Sequence, residues 1–279
     1  MKKLKFTFAF LLLSSVLLAQ DAIHVEKKGT GSPILYLPGF TTPGSVWNET
    51  VNNVNGQHEN HLVSYAGFNG LEPIAMPWYP TIKEKLVEYI KNEKLTNLTI
   101  IGHSMGGFLA IELAAALPDN ISKLVLIESI PCMREIMMPG VPASNIQYES
   151  PFNKQMLDMS DEAFFGMVAN QSQYMTNNKS KIEILTQWAV AADRQTYVYG
   201  YTDLLKLDLR DQLPLIHAKT MILGAPFPNA ELVQSNYTKQ YEKLEAKEIY
   251  IASESKHFIM FDQPEWLYEK INTFLKNEL

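Results

Sequence analysis

The chain has 279 residues, 46% hydrophobic and 19% charged, with a formal net charge of −6. This is the balance of a globular chain with a sizeable core. It shows no basic patch beyond its first residues, so nucleic acid is not an expected partner. The single cysteine, Cys132, excludes an internal disulfide, so packing must hold the fold by itself and a buried apolar thiol is expected.

The chain starts with Lys2, Lys3 and Lys5. A mostly apolar run over residues 6–18 follows and ends at Ala19, Gln20 and Asp21. This is the pattern of a secretory signal peptide over residues 1–20, cut near Ala19 or Gln20, and it implies export to the periplasm or medium. The run is short for a membrane span and no stop-transfer pattern follows. No stable membrane span is therefore expected after cleavage.

Short apolar runs then alternate with helical patterns. Strands are expected over residues 34–37, 61–65, 98–101, 124–127, 220–223 and 248–251. Runs that are apolar throughout suit strands buried on both faces of a parallel sheet. Helices are expected over 80–92, 106–117, 229–244 and 264–275, the last with Trp266, Leu267, Ile271 and Leu275 on its apolar side. The alternation predicts a doubly wound, mostly parallel α/β sheet. It breaks over residues 130–212, which carry helical patterns and no strand. This stretch is expected to form a helical cap on a core built from 21–129 and 213–279. Seven of the twelve methionines fall in it, which suits an adaptable apolar lining over a pocket.

The chemistry centres on Gly102-His103-Ser104-Met105-Gly106, between an expected strand and an expected helix. That is the context a G-x-S-x-G turn requires. Gly102 and Gly106 remove side chains where strand and helix come close, and Ser104 is left exposed at the turn. The helix start offers free N–H groups and a positive dipole end. Of the six histidines, His257 follows the last expected strand and precedes the last helix. His24, His58, His61, His103 and His217 lack that setting, and His103 is expected to pack beside the turn. No metal-ligand spacing occurs, so no metal and no cofactor are expected.

Three segments carry a family likeness: Gly102 to Gly107 after Leu98-Thr99-Ile100-Ile101, the early Leu35-Tyr36-Leu37-Pro38-Gly39-Phe40, and the late run from Lys256 to Trp266. Together they resemble the α/β-hydrolase superfamily over nearly the whole chain after the signal. The resemblance implies Ser104 as nucleophile and His257 as general base. It also implies an oxyanion hole from the N–H groups of Met105 and Phe40, whose side chains would help to shape an acyl pocket. The acid departs from the pattern. Most relatives place an Asp shortly after the strand at 220–223, but here no carboxylate occurs before Glu231. Some members draw the acid from the preceding strand, which points to Glu128. The chain order would still be serine, acid, histidine. Glu231, Glu254 and Asp262 are the fallback acids, with Asp262 expected to serve the start of the last helix.

The sequence reading is thus an exported serine hydrolase that cleaves an ester-like bond of a small, hydrophobic substrate. An amidase or peptidase, thioesterase, lactonase, C–C hydrolase or perhydrolase on the same fold is the alternative. A silent ligand-binding homologue is another, motivated by the missing Asp.

Overall fold

The computed structural model describes residues 21–276, and the expected signal segment over 1–20 lies outside the described residues. Seven strands form one sheet: β1 (Ile23–Lys28), β2 (Ser32–Leu37), β3 (His58–Tyr65), β4 (Leu98–His103), β5 (Ile121–Ile127), β6 (Lys219–Gly224) and β7 (Lys247–Ile251). Their order is β1-β3-β2-β4-β5-β6-β7. β1 pairs antiparallel with β3, and all other neighbours are parallel. The six apolar runs became β2 to β7. β1 was not anticipated, because Ile23-His24-Val25-Glu26-Lys27-Lys28 is an edge strand that alternates with exposed polar residues.

Successive side chains of a strand face opposite sides, and the core divides accordingly. Leu35 and Leu37 of β2 face one side, with α2 (Trp78–Asn92) and α3 (Met105–Ala116). Ile34 and Tyr36 face the other, with Trp47 and the last helix. The short helix α1 (Asn48–Asn53) leads from Trp47 towards β3.

Between β5 and β6 lie α4 (Met133–Met137), α5 (Pro151–Leu157), α6 (Asp161–Ser172), α7 (Lys179–Val190) and α8 (Arg194–Lys206), with no strand among them. Met156, Phe164, Val168, Val198 and Tyr199 form a small apolar cluster within these helices. Polar contacts tie them to the sheet layer. Asp203 accepts the Tyr79 N–H (3.1 Å) at the start of α2, and its other oxygen accepts the Tyr148 hydroxyl. The Asp193 N–H donates to the Gly67 carbonyl (2.8 Å), and the Asp193 side chain caps α8 at Thr196. Cys132 is buried, and burial raises its thiol pKa.

After β6 come α9 (Ala230–Gln240), β7, the short α10 (Ile259–Asp262) and α11 (Pro264–Lys276). In α11 the buried face is Leu267, Tyr268, Ile271 and Phe274. Each large apolar side chain buried in this way is worth roughly 1.5–3 kcal/mol. Phe274 takes the place expected for Leu275, which is only partly buried.

The chain runs from β2 to β3 in one direction and then crosses back to β4 on the other side of β2. The loops after β2 and β4 therefore diverge and leave a crevice at the carboxyl ends of the strands, where open α/β sheets bind ligands.

Candidate active site

Ser104 sits at this crevice with φ 54° and ψ −120°. Such backbone is strained for a residue with a Cβ. It is held from both sides: the Ser104 N–H donates to the Ile127 carbonyl (2.9 Å), and the Gly107 N–H donates to the Ser104 carbonyl (2.8 Å). The two glycines are sterically required. A Cβ on Gly102 would lie 2.4 Å from the Gly106 carbonyl oxygen, and one on Gly106 would lie 2.1 Å from that of Leu37. Backbone cannot yield as a flexible side chain can, so Gly106→Ala should destabilise the whole fold. A melting curve matching that of the wild type would show that the turn tolerates it.

The loop after β2 lies against this turn. A Cβ on Gly39 would be 3.3 Å from the Ser104 Cβ and 2.9 Å from His103 Nδ1. The Met105 N–H opens α3, where N–H groups have no intrahelical acceptor. Among the described residues, no hydrogen bond engages the N–H of Phe40 or of Met105. Their side chains differ from expectation. Met105 is 0% exposed and belongs to the sheet core, so it does not line an open pocket. The Phe40 ring packs among Phe68, Trp78, Tyr197 and Tyr201, at the junction of α2 and α8.

His257 comes from the loop after β7. Its ring centroid is 4.7 Å from that of His103, and His103 Nε2–H donates to the His257 carbonyl (2.9 Å). Complete burial, with His257 beside it, holds the His103 pKa well below the ordinary histidine value. His103 is therefore neutral and acts as a packed support for the loop.

Glu128 caps the end of β5 with φ 48°. Its N–H donates to the Leu223 carbonyl (2.8 Å). Oε1 accepts the Ala225 N–H (2.6 Å) and the Tyr237 hydroxyl (3.0 Å). Oε2 accepts His257 Nδ1–H at 3.2 Å. This contact fixes the ring's tautomer and leaves Nε2 with a free lone pair. Burial, and then the Glu128 charge, push the Tyr237 pKa well up, so its hydroxyl stays a donor. Among the described residues, Glu128 is the carboxylate that His257 reaches. Glu231 and Glu254 are exposed.

Asp262 is a correction to the sequence reading. It ends α10 and does not serve the start of α11. Its carboxylate accepts from Thr176, Asn177 and Asn178 on one side and from Ser255 and Lys256 on the other. Tyr237 and Ala225 were also missed as partners of Glu128. A signal for Tyr237 existed: it is a large aromatic four residues after Val233 in an otherwise polar helix.

A cavity of about 770 Å³ lies within α4 to α8 and their connections. Its lining includes Met137, Met156, Met167, Tyr174, Tyr197 and Tyr201, and no acidic, basic or histidine side chain. Tyr197 and Tyr201 also touch the Phe40 ring, while Ser104, Glu128 and His257 are not among the lining residues. Among the described residues, no group of three His, Cys, Asp or Glu side chains could hold a metal ion. No helix among them is long and apolar enough to cross a membrane.

A doubly wound sheet with a half-buried serine on a strained strand-to-helix turn and a histidine–carboxylate pair beside that turn defines a hydrolase site. The model of the alpha/beta hydrolase family matches residues 34–270, and the chain belongs to that family. Among curated relatives, pimeloyl-[acyl-carrier protein] methyl ester esterase of Vibrio vulnificus is 24% identical over 257 residues, 90% of this chain and 97% of that protein. The fold is also that of an esterase from Exiguobacterium antarcticum, with a TM-score of 0.71, 22% identity and coverage of 91% and 96%. A thermophilic esterase from Thermogutta terrifontis shares it too, with a TM-score of 0.73, 18% identity and coverage of 91% and 93%.

Proposed function

We propose that the protein is an exported serine hydrolase that cleaves carboxylic esters with an uncharged, hydrophobic acyl or alcohol part. The observation that carries this reading is the Glu128–His257 hydrogen bond beside the strained Ser104 turn. A hydroxyl is a weak nucleophile at neutral pH and needs an adjacent base. Ser104 attacks the ester carbonyl, and His257 Nε2 takes its proton. Glu128 holds the ring in the required tautomer and stabilises the imidazolium. The Phe40 and Met105 N–H groups bind the oxyanion, each worth about 3 kcal/mol in the transition state. His257 then protonates the leaving alcohol, and water releases the acyl-enzyme by the same route in reverse. The name of the curated relatives, a methyl ester esterase, supports ester cleavage. The Glu128 contact supports turnover over silent binding, because it supplies the acid that is missing after β6.

The direct test is hydrolysis of p-nitrophenyl acetate together with labelling of Ser104 by a fluorophosphonate. Protein that does neither would sink the proposal. N-terminal sequencing of the protein made in its host tests export: a start near Asp21 supports it, and an intact Met1 opposes it.

The neutral cavity supports the substrate class. A carboxylate there would meet no cationic side chain among the lining residues. Along a series of p-nitrophenyl esters from acetate to octanoate, kcat/KM should rise by up to about fourfold for each CH₂ group buried. A terminal carboxylate on the acyl chain should reverse the gain. A flat series would remove the cavity from substrate binding.

A further inference from the structure

The residues on either side of His257 are bound to the α6–α7 connection of the cap. On one side, the Phe258 N–H donates to the Met175 carbonyl (3.0 Å). On the other, Lys256 Nζ donates to the carbonyls of Gln173 (2.8 Å) and Thr176 (3.4 Å). Asp262 joins the two segments. Its Oδ2 accepts the Lys256 N–H (2.8 Å) and the Ser255 hydroxyl (3.4 Å). Its Oδ1 accepts the Thr176 hydroxyl (2.5 Å) and the N–H groups of Asn177 (2.9 Å) and Asn178 (3.2 Å). Asn178 is the N-cap of α7, so the carboxylate also lies at the positive end of that helix. The Lys181 ammonium, one turn further on, stands 5.2 Å over the Phe261 ring and presses α10 onto the same helix.

We infer that Asp262 is a positioning residue that clamps the general-base loop to the cap, so that the placement of His257 depends on the seating of the α6–α7 connection. This rests on the proposed hydrolase reading. The physical reason is the division of labour within one carboxylate. Each oxygen holds one segment, so neither the loop nor the connection can shift without breaking charge-assisted hydrogen bonds. Glu128 fixes the imidazole and the His103 ring holds the His257 carbonyl, but neither touches the Ser255–Lys256 side of the loop, which Asp262 holds. Movement of the α6–α7 connection would therefore be transmitted to the base through Asp262, alongside the direct Phe258 and Lys256 bonds.

Two variants test this. Asp262→Asn leaves one oxygen where two were needed, so one side of the clamp loses its acceptor. Thr176→Val removes one of the three cap-side donors and leaves the Asn177, Asn178 and Lys256 N–H bonds to the carboxylate intact. For p-nitrophenyl acetate, kcat per fluorophosphonate-titrated site should fall by about 10- to 100-fold in Asp262→Asn, the scale of a misplaced catalytic group. It should fall in the same direction in Thr176→Val. KM should stay within about twofold. The double variant should be no slower than Asp262→Asn, because both changes act on the same connection. An unchanged kcat per titrated site would overturn the inference, as would a fall only in the fraction of titratable sites. If Asp262→Asn does not fold, Thr176→Val decides alone. A wild type without turnover would instead overturn the hydrolase reading, and the inference with it.

Discussion

Glu128→Gln should lower kcat/KM by about 10⁴-fold while leaving the melting temperature almost unchanged. The Ala225 N–H and the Tyr237 hydroxyl both point at one carboxylate oxygen. The glutamine carbonyl will therefore turn towards them, and the amide NH₂ will face His257. An NH₂ group cannot accept from Nδ1–H. The ring must then present Nδ1 as an acceptor and carry its proton on Nε2, the nitrogen that should receive the serine proton. The fold keeps its hydrogen bonds and the base acquires the wrong tautomer. Steady-state kinetics and a thermal melt on the same preparation test this. Wild-type activity in Glu128→Gln would remove Glu128 from the mechanism, and a collapsed melt would make it a structural group.

Ser104→Ala and Ser104→Gly should both lose turnover by roughly 10⁶-fold, yet they should differ in stability. Alanine keeps the Cβ and hence the strain at φ 54° and ψ −120°. Glycine accepts that backbone freely. Ser104→Gly should therefore unfold at a higher temperature than Ser104→Ala, by an amount corresponding to about 1–3 kcal/mol. Equal melting points would mean that the turn stores no such strain. Thr41 and Glu128, in the loops after β2 and β5, share the positive φ (61° and 48°). Strained backbone thus gathers around the crevice.

Much of this was legible from local pattern. β2 and β4 to β6 are buried on both faces, so their apolar runs stood out, and Ser104 was marked by its glycines. β1 was not legible, because an edge strand with one wet face and two terminal lysines carries too little apolar signal. The lack of strands between β5 and β6 was legible, but the packing of the helices there could not be read. Glu128 could be singled out by its place after the run at 124–127 and by the family resemblance. Its partners could not, since Tyr237 lies 109 residues away and no short motif spans that distance. Asp262 misled for the same reason. Near Pro264 its sequence resembles a helix start, while its hydrogen bonds reach back 86 residues to Thr176.

The position of Glu128 has a consequence for the loop after β6. In relatives that keep the acid there, that loop must hold a carboxylate in register with the histidine. Here its only described contribution is the Ala225 N–H. Residues 226–229 stand partly or fully exposed, with Phe227 53% exposed. Phe227 borders a shallow hollow shared with Glu254, Ser255 and Lys256, beside the histidine loop. The segment is adjacent to the chemistry without taking part in it. Such a segment is a natural graft point: its length and side chains can be exchanged to alter substrate preference while the reacting groups stay in place.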